Sequence, residues 1–264
     1  MSHLAVTTYE HVRTIRLERP AQRNALNTAL LGELLDAVGE AVADDDVGAI
    51  ILTGVGATFS AGADVDEDLD GPATVRRMEL FGALFEALAT SPTPTLAAVA
   101  GPCIGGGAEL AAACDVRVAD ATASFRFPGA ALGYPAGAAK LVGLVGLGAA
   151  KDLVLTSRTI YAEQASRIGF VQHLVADGGA LAAGHDLAAQ ISANDVNTVA
   201  YLKRLFASFS GLGDRIAVEN DALRGLAASG GDWSALTSDE SGAGGWAGGA
   251  WQGRWGAINR PASS

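Results

Sequence analysis

The chain has 264 residues, enough for one large core, and its 49% hydrophobic and 18% charged content belongs to a globular protein rather than a disordered one. A net charge of -11 and a pI near 4.7 disfavour nucleic acid and anionic membrane as partners, so an anionic small ligand would need a local basic site. Cys103 and Cys114 have no second cysteine or histidine at metal-ligand spacing and read as reduced core residues. No metal site is expected, no apolar run reaches membrane length, and the start of the chain lacks a leader pattern, so the expected location is cytoplasmic.

In chain order, residues 4 to 17 alternate as two strands joined near Glu10-His11. Asn27 then caps a helix whose apolar positions Leu30, Leu31, Leu34, Leu35, Val38 and Val42 recur at three and four residues, and Asp44-Asp-Asp46 ends it. The apolar run Ala49 to Thr53 reads as a buried strand, and Phe59-Ser-Ala-Gly-Ala-Asp64 follows it as a glycine turn. A helix over 73–89 places Met78, Phe81, Leu84, Phe85 and Leu88 on one core-facing stripe. A second buried strand, Thr95 to Ala100, leads into Gly101-Pro-Cys-Ile-Gly-Gly-Gly-Ala-Glu-Leu110, then a short small-residue helix from Ala108 to Cys114 and a strand at Val116-Arg-Val-Ala119. The repetition of strand, turn and helix predicts an α/β protein, better satisfied by a spiral of strand-strand-helix units than by an open doubly wound sheet.

From about residue 178 the strand signals stop, and 179–192, 195–209 and 214–229 carry helical spacing. A change of domain is therefore expected near 195, dividing a core of residues 1–195 from a helical region of 196–264. The end of the chain is rich in glycine, and Trp246, Trp251 and Trp255 are expected to dock on this subunit or another.

The two glycine turns carry the chemistry. Each follows a buried strand and leads toward a helix, so each exposes backbone N–H groups, and two convergent donors can hold an oxygen on which negative charge develops. Glycine lets a ligand approach the backbone closely.

These turns, with Arg19-Pro-Ala-Gln-Arg-Asn-Ala-Leu-Asn27 and the downstream Ala162-Glu-Gln-Ala-Ser-Arg-Ile-Gly-Phe-Val171, resemble the crotonase superfamily of enoyl-CoA hydratases and isomerases over roughly residues 10 to 175. The resemblance implies an oxyanion hole made by the N–H groups of Ala63 and Gly106, with Ala61, Asp64 and Gly105 beside it. It implies that Arg23 and Ala25 run along the coenzyme A portion of an acyl-CoA thioester, the coenzyme being part of the substrate and no other cofactor being needed. Asp66 stands where many relatives carry a lysine facing the coenzyme, so the phosphates must find Arg19, Arg23, Lys203, Arg204 or a neighbouring subunit's cation. The family's trimers and dimers of trimers imply a homotrimer or hexamer assembled through the helices after 195.

Hydration in the family uses two carboxylates. Glu109 matches the first, whereas Gly129 stands in place of the second and residues 121–151 contain no other acid. The loss of one acid-base group removes a factor of about a hundred to ten thousand in rate, so the expected chemistry is proton shuttling through Glu109 alone rather than efficient hydration. Burial among Ala108, Leu110 and Ala111 would raise its pKa. A catalytically weak acyl-CoA-binding protein of the same fold is the alternative. Tyr134 is expected to line the acyl pocket, and the small residues Gly129, Ala130, Ala131 and Ala136 to Ala139 to leave room for a bulky or ring-bearing acyl group. Serine-hydrolase chemistry is not expected, because no Gly-x-Ser-x-Gly elbow or partnered histidine is present.

Overall fold

The computed structural model describes residues 3–231. Strands β1 (Leu4–Tyr9) and β2 (Val12–Leu17) pair antiparallel, with Glu10 and His11 at φ 44° and 65° forming the tight turn between them. Helix α1 (Thr28–Ala43) is capped by Asn27, whose side chain accepts from the Leu30 N–H at 2.9 Å. After β3 (Ala49–Gly54) comes α2 (Gly71–Thr90), capped in the same way by Asp70. The chain continues through β4 (Thr95–Val99), β5 (Pro102–Ile104) and α3 (Gly106–Ala113), then β6 (Val116–Asp120), β7 (Ser124–Arg126), α4 (Gly129–Leu132) and α5 (Ala138–Thr156). Then follow β8 (Thr159–Tyr161), α6 (Ala162–Arg167), β9 (His173–Val175), α7 (Ala180–Ser192), α8 (Val196–Ser210) and α9 (Leu212–Ala228).

Two sheets result. The larger runs β1-β2-β3-β4-β6-β9, parallel at every neighbour except β1/β2, and the smaller runs β5-β7-β8. Each step from the large sheet to the small one and into a helix, β4-β5-α3 and β6-β7-α4, is one strand-strand-helix unit of the spiral. The central strands are buried on both faces, which is why they read as continuous apolar runs. Ile50, Leu52, Ala97 and Val99 face the core under α1, α2 and α3, while Ala49, Ile51, Leu96 and Ala98 face the opposite layer with Ala188 of α7.

Helix α5 escaped the sequence reading because its Gly- and Ala-rich segment shows weak periodicity; it is bent at Gly146, where φ is 77°. In the C-terminal part, α9 packs on α2 and α5. The expected docking of Trp246, Trp251 and Trp255 lies outside the described residues. Among those residues no helix is long and apolar enough to cross a membrane.

Cys103 and Cys114 are both buried and unbonded to each other. Burial raises the Cys114 thiol to about 12 and holds Cys103 well above its usual range, so neither forms a thiolate in the folded protein. Thiol titration should find no reactive group in the native state and two after denaturation; a fast native reaction at either would show that burial is incomplete.

Candidate active site

The first glycine turn is held by a side chain that sequence reasoning quoted without assigning it work. Asn24 is fully buried in a left-handed conformation (φ 54°), its amide donating to Val55 O at 3.0 Å and Thr58 O at 2.7 Å and accepting from the Arg19 N–H at 3.0 Å. Ser60 Oγ donates to Asn24 O at 2.8 Å and accepts from the Gly62 N–H at 3.2 Å. Leu26 and Ala63 then form a parallel bridge, in which the Leu26 N–H donates to Gly62 O and the Asp64 N–H donates to Leu26 O. Because its two neighbours bond to Leu26, the N–H of Ala63 points to the other side of the turn.

The second glycine turn lies on that other side. Ser60 bridges Cys103, and the Ile104 N–H donates to Ser60 O at 2.9 Å. A Cβ built on Gly62 would stand 3.3 Å from Gly106 N, which measures how closely the two turns approach. Gly105 (φ 52°, ψ -122°) begins α3 in a conformation open to glycine, and a Cβ on Gly107 would meet Ser60 Cβ at 2.6 Å. Gly106 is the first residue of α3, where an N–H has no partner within the helix. Ala61, Ala63, Gly105 and Gly106 remain half-buried rather than sealed.

Glu109 sits on the first turn of α3, its N–H donating to Gly105 O at 2.9 Å, so the glycine turn and the carboxylate move as one rigid piece. Its side chain is nearly buried and faces two groups the sequence reading did not bring to it. Lys140 of α5 places Nζ 3.0 Å from Glu109 Oε2, and the same nitrogen is 3.0 Å from Glu219 Oε1 of α9. The Phe85 ring lies 4.6 Å from the ammonium. The contact to Glu109 is off the hydrogen-bonding direction, leaving Oε2 buried without a hydrogen-bond partner among the described residues. Burial raises the Glu109 pKa; Lys140 opposes this and Glu219 adds to it. Burial works to lower that of Lys140, but the two carboxylates outweigh it and the net shift is upward. Lys140 had a signal in the sequence, being the single charged residue between 127 and 150; Glu219, within the charged run Glu219-Asn-Asp221, had none.

Several expected residues are engaged elsewhere. Arg19 and Asp64 pair at 2.8 Å, and Arg19 also donates to Ala25 O, so both side chains serve the turn rather than stand open to a phosphate. Lys203 pairs with Asp115 at 2.5 Å and donates to Thr93 O. Arg23 is exposed and without an ion pair among the described residues, and Arg204 lies over the Tyr201 ring. Tyr134 is 41% exposed, its N–H bonded to Gly129 O at 2.8 Å in the α4 turn.

The room expected around Gly129 is largely taken. A Cβ there would lie 2.6 Å from Tyr134 O and 3.1 Å from Ala136 O, and one at Gly137 would lie 3.3 Å from the Phe127 ring. At Gly129 and Gly137 the missing side chain serves close packing of the turn rather than leaving space for a bulky acyl group, while Ala130, Ala131 and Ala138 are exposed. Gly129→Glu is therefore expected to lower stability without restoring hydration, because the backbone occupies the path of the new side chain. Denaturation together with a hydration assay of this variant would check it, and recovered hydratase activity would refute it.

A spiral of this kind, with two glycine turns meeting beside a helix-borne glutamate, is a crotonase fold. The chain belongs to the enoyl-CoA hydratase/isomerase family, whose model matches residues 7–217. It is 36% identical over 193 residues to the short-chain-enoyl-CoA hydratase of Clostridium acetobutylicum, covering 69% of this chain and 72% of that one. It is 36% identical over 200 residues to 4-chlorobenzoyl coenzyme A dehalogenase-2 of Arthrobacter sp, covering 72% of each. Among solved structures, DspI of Pseudomonas aeruginosa superposes with a TM-score of 0.75 at 34% identity, covering 79% of this chain and 87% of that chain. The enoyl-CoA hydratase of Bacillus anthracis gives 0.75 at 29% identity, over 83% and 90%.

Proposed function

We propose that the protein is an acyl-CoA enzyme that stabilises a thioester enolate and moves a proton through Glu109, acting as an isomerase rather than as an efficient hydratase. The N–H groups of Ala63 and Gly106 receive the thioester oxygen. In a 3-enoyl thioester Glu109 takes the proton from C2, the C–H electron pair passes into the dienolate, and the same carboxyl returns the proton at C4 as the double bond settles between C2 and C3. The observation that carries this reading is the buried Glu109 carboxylate on the first turn of α3, one helical turn from the Gly106 N–H and with Lys140 against its Oε2. Hydration would need a second carboxylate on the substrate side, and position 129 offers no path for one.

Arg23 and Ala25 run beside the coenzyme A portion, with Arg23 as the cation for its phosphates and no further cofactor. Ala61 and Gly105 flank the thioester, Asp64 holds the turn through Arg19, and Gly129 and Tyr134 belong to the wall near the acyl group. A homotrimer or hexamer fits the apolar side chains of α8, where Leu202, Phe206 and Phe209 are exposed. The cytoplasm is the proposed location.

The test is to incubate the protein with an acyl-CoA in deuterated water and follow exchange at C2. Exchange that depends on Glu109 supports the enzyme. Binding without exchange supports the second reading, a weakly catalytic acyl-CoA-binding protein, which the missing carboxylate at 129 favours.

A further inference from the structure

Helix α9 delivers Glu219 to the same ammonium that faces Glu109, although the two carboxylates are separated by more than a hundred residues. Glu219 is built into place: its Oε2 accepts from the Ala139 N–H at 2.9 Å, in the first turn of α5, where a helix end favours negative charge. Arg215 ties the two helices one turn away, donating to Ala139 O at 2.9 Å. Lys140, Glu109 and Glu219 are all buried, and both carboxylate oxygens lie 3.0 Å from Nζ. Two buried carboxylates sharing one ammonium leave an excess of one negative charge, and that excess vanishes when one carboxylate takes a proton.

We propose that Lys140 and Glu219 are positioning residues that set the basicity of Glu109, Lys140 by orienting its carboxylate and Glu219 by keeping Lys140 paired whichever form Glu109 takes. This rests on Glu109 being the proton-moving group. When the Glu109 carboxylate gains the C2 proton, Lys140 and Glu219 remain as a neutral pair and no lone buried ammonium is left to oppose the transfer. With Lys140 alone, Glu109 would be half of a stable ion pair and a poor base. With neither, it would be a carboxyl in an apolar chamber, neutral over most of the working range.

The groups around Glu109 make the balance specific to these two side chains. From α2 the Phe81 ring lies against Gly106 and the Phe85 ring faces the Lys140 ammonium, so neither brings a charge. Lys140 comes from α5 and Glu219 from α9, while Arg117 sits at the far end of α3 on the carbonyls of Ala111 and Cys114.

The experiment titrates Glu109 directly, by its carboxyl infrared band in the unliganded full-length protein, with Glu109→Gln to assign the band, and in parallel by the pH profile of C2 exchange. Glu219→Gln keeps the shape and one of the two acceptor oxygens while removing the charge, and should move the Glu109 titration and the acid limb of the profile down by about one pH unit or more. Lys140→Met should move both up by about one to three units. The opposite signs are what a merely structural role would not produce. If Lys140→Met does not fold, the downward shift in Glu219→Gln decides alone. Titrations that stay in place, or that move the same way in both variants, overturn the proposal. Opposite shifts in the infrared titration with no Glu109-dependent exchange would uphold the charge balance and refute the isomerase reading instead.

Discussion

Glu109→Gln is expected to lower C2 exchange and double-bond isomerisation by about 10²–10⁴-fold, the usual contribution of a positioned general base. The amide keeps the size of the side chain but cannot accept the C2 proton. Lys140 retains Glu219 as its counter-ion, so the substitution does not strand a buried charge and the fold should survive it. Binding of an acyl-CoA should persist, because the Ala63 and Gly106 amides are untouched; a loss in turnover with little change in affinity marks an interaction made in the transition state. Calorimetric titration beside the exchange assay checks both halves. Exchange within a factor of a few of the unaltered protein would remove Glu109 from the mechanism.

Arg117→Met is expected to destabilise the protein by about 3–5 kcal/mol. Arg117 is 1% exposed, and its guanidinium donates to Phe170 O at 2.6 Å, Cys114 O at 2.8 Å, Gln172 Oε1 at 3.0 Å and Ala111 O at 3.2 Å. Burial lowers its pKa to about 10, which still leaves it charged at neutral pH. Two of those acceptors are carbonyls at the C-terminal end of α3, a helix end that favours a cation and whose last carbonyls otherwise have no donor. Methionine fills the volume but strands several buried acceptors, each worth roughly 1–3 kcal/mol when unsatisfied and not additive with the others. A denaturant midpoint that falls at unchanged slope would confirm the effect. Since α3 carries both Gly106 and Glu109, activity should decline only as the folded fraction declines, and a midpoint unchanged within 1 kcal/mol of equivalent stability would refute the clamp.

Local patterns were enough for much of this architecture. Asn27 caps its helix through its own side chain, β3 and β4 are apolar because both faces are covered, and Glu10-His11 is short enough to permit only a tight hairpin turn. The two glycine turns were legible for the same reason: the conformation of Gly105 and the close approach of Gly107 to Ser60 are demands made on the residue itself. Such features are written within a few residues of the chain, so reading along it finds them.

What had to wait for the tertiary structure is everything that depends on partners far apart in sequence. Arg19 and Asp64 looked like surface groups available to a ligand until the fold set them against each other, and Lys203 was in the same position until it met Asp115. Gly129 read as open space, yet Tyr134 O closes it. Lys140 is a lone charge in an apolar stretch that the sequence reading passed over, because its meaning depends on Glu109 and Glu219 arriving from other helices. Backbone conformation and burial periodicity are local properties, whereas electrostatic pairing depends on distances between chain segments; the sequence alone therefore determined the scaffold and the two glycine turns, and packing decided which charged groups face Glu109.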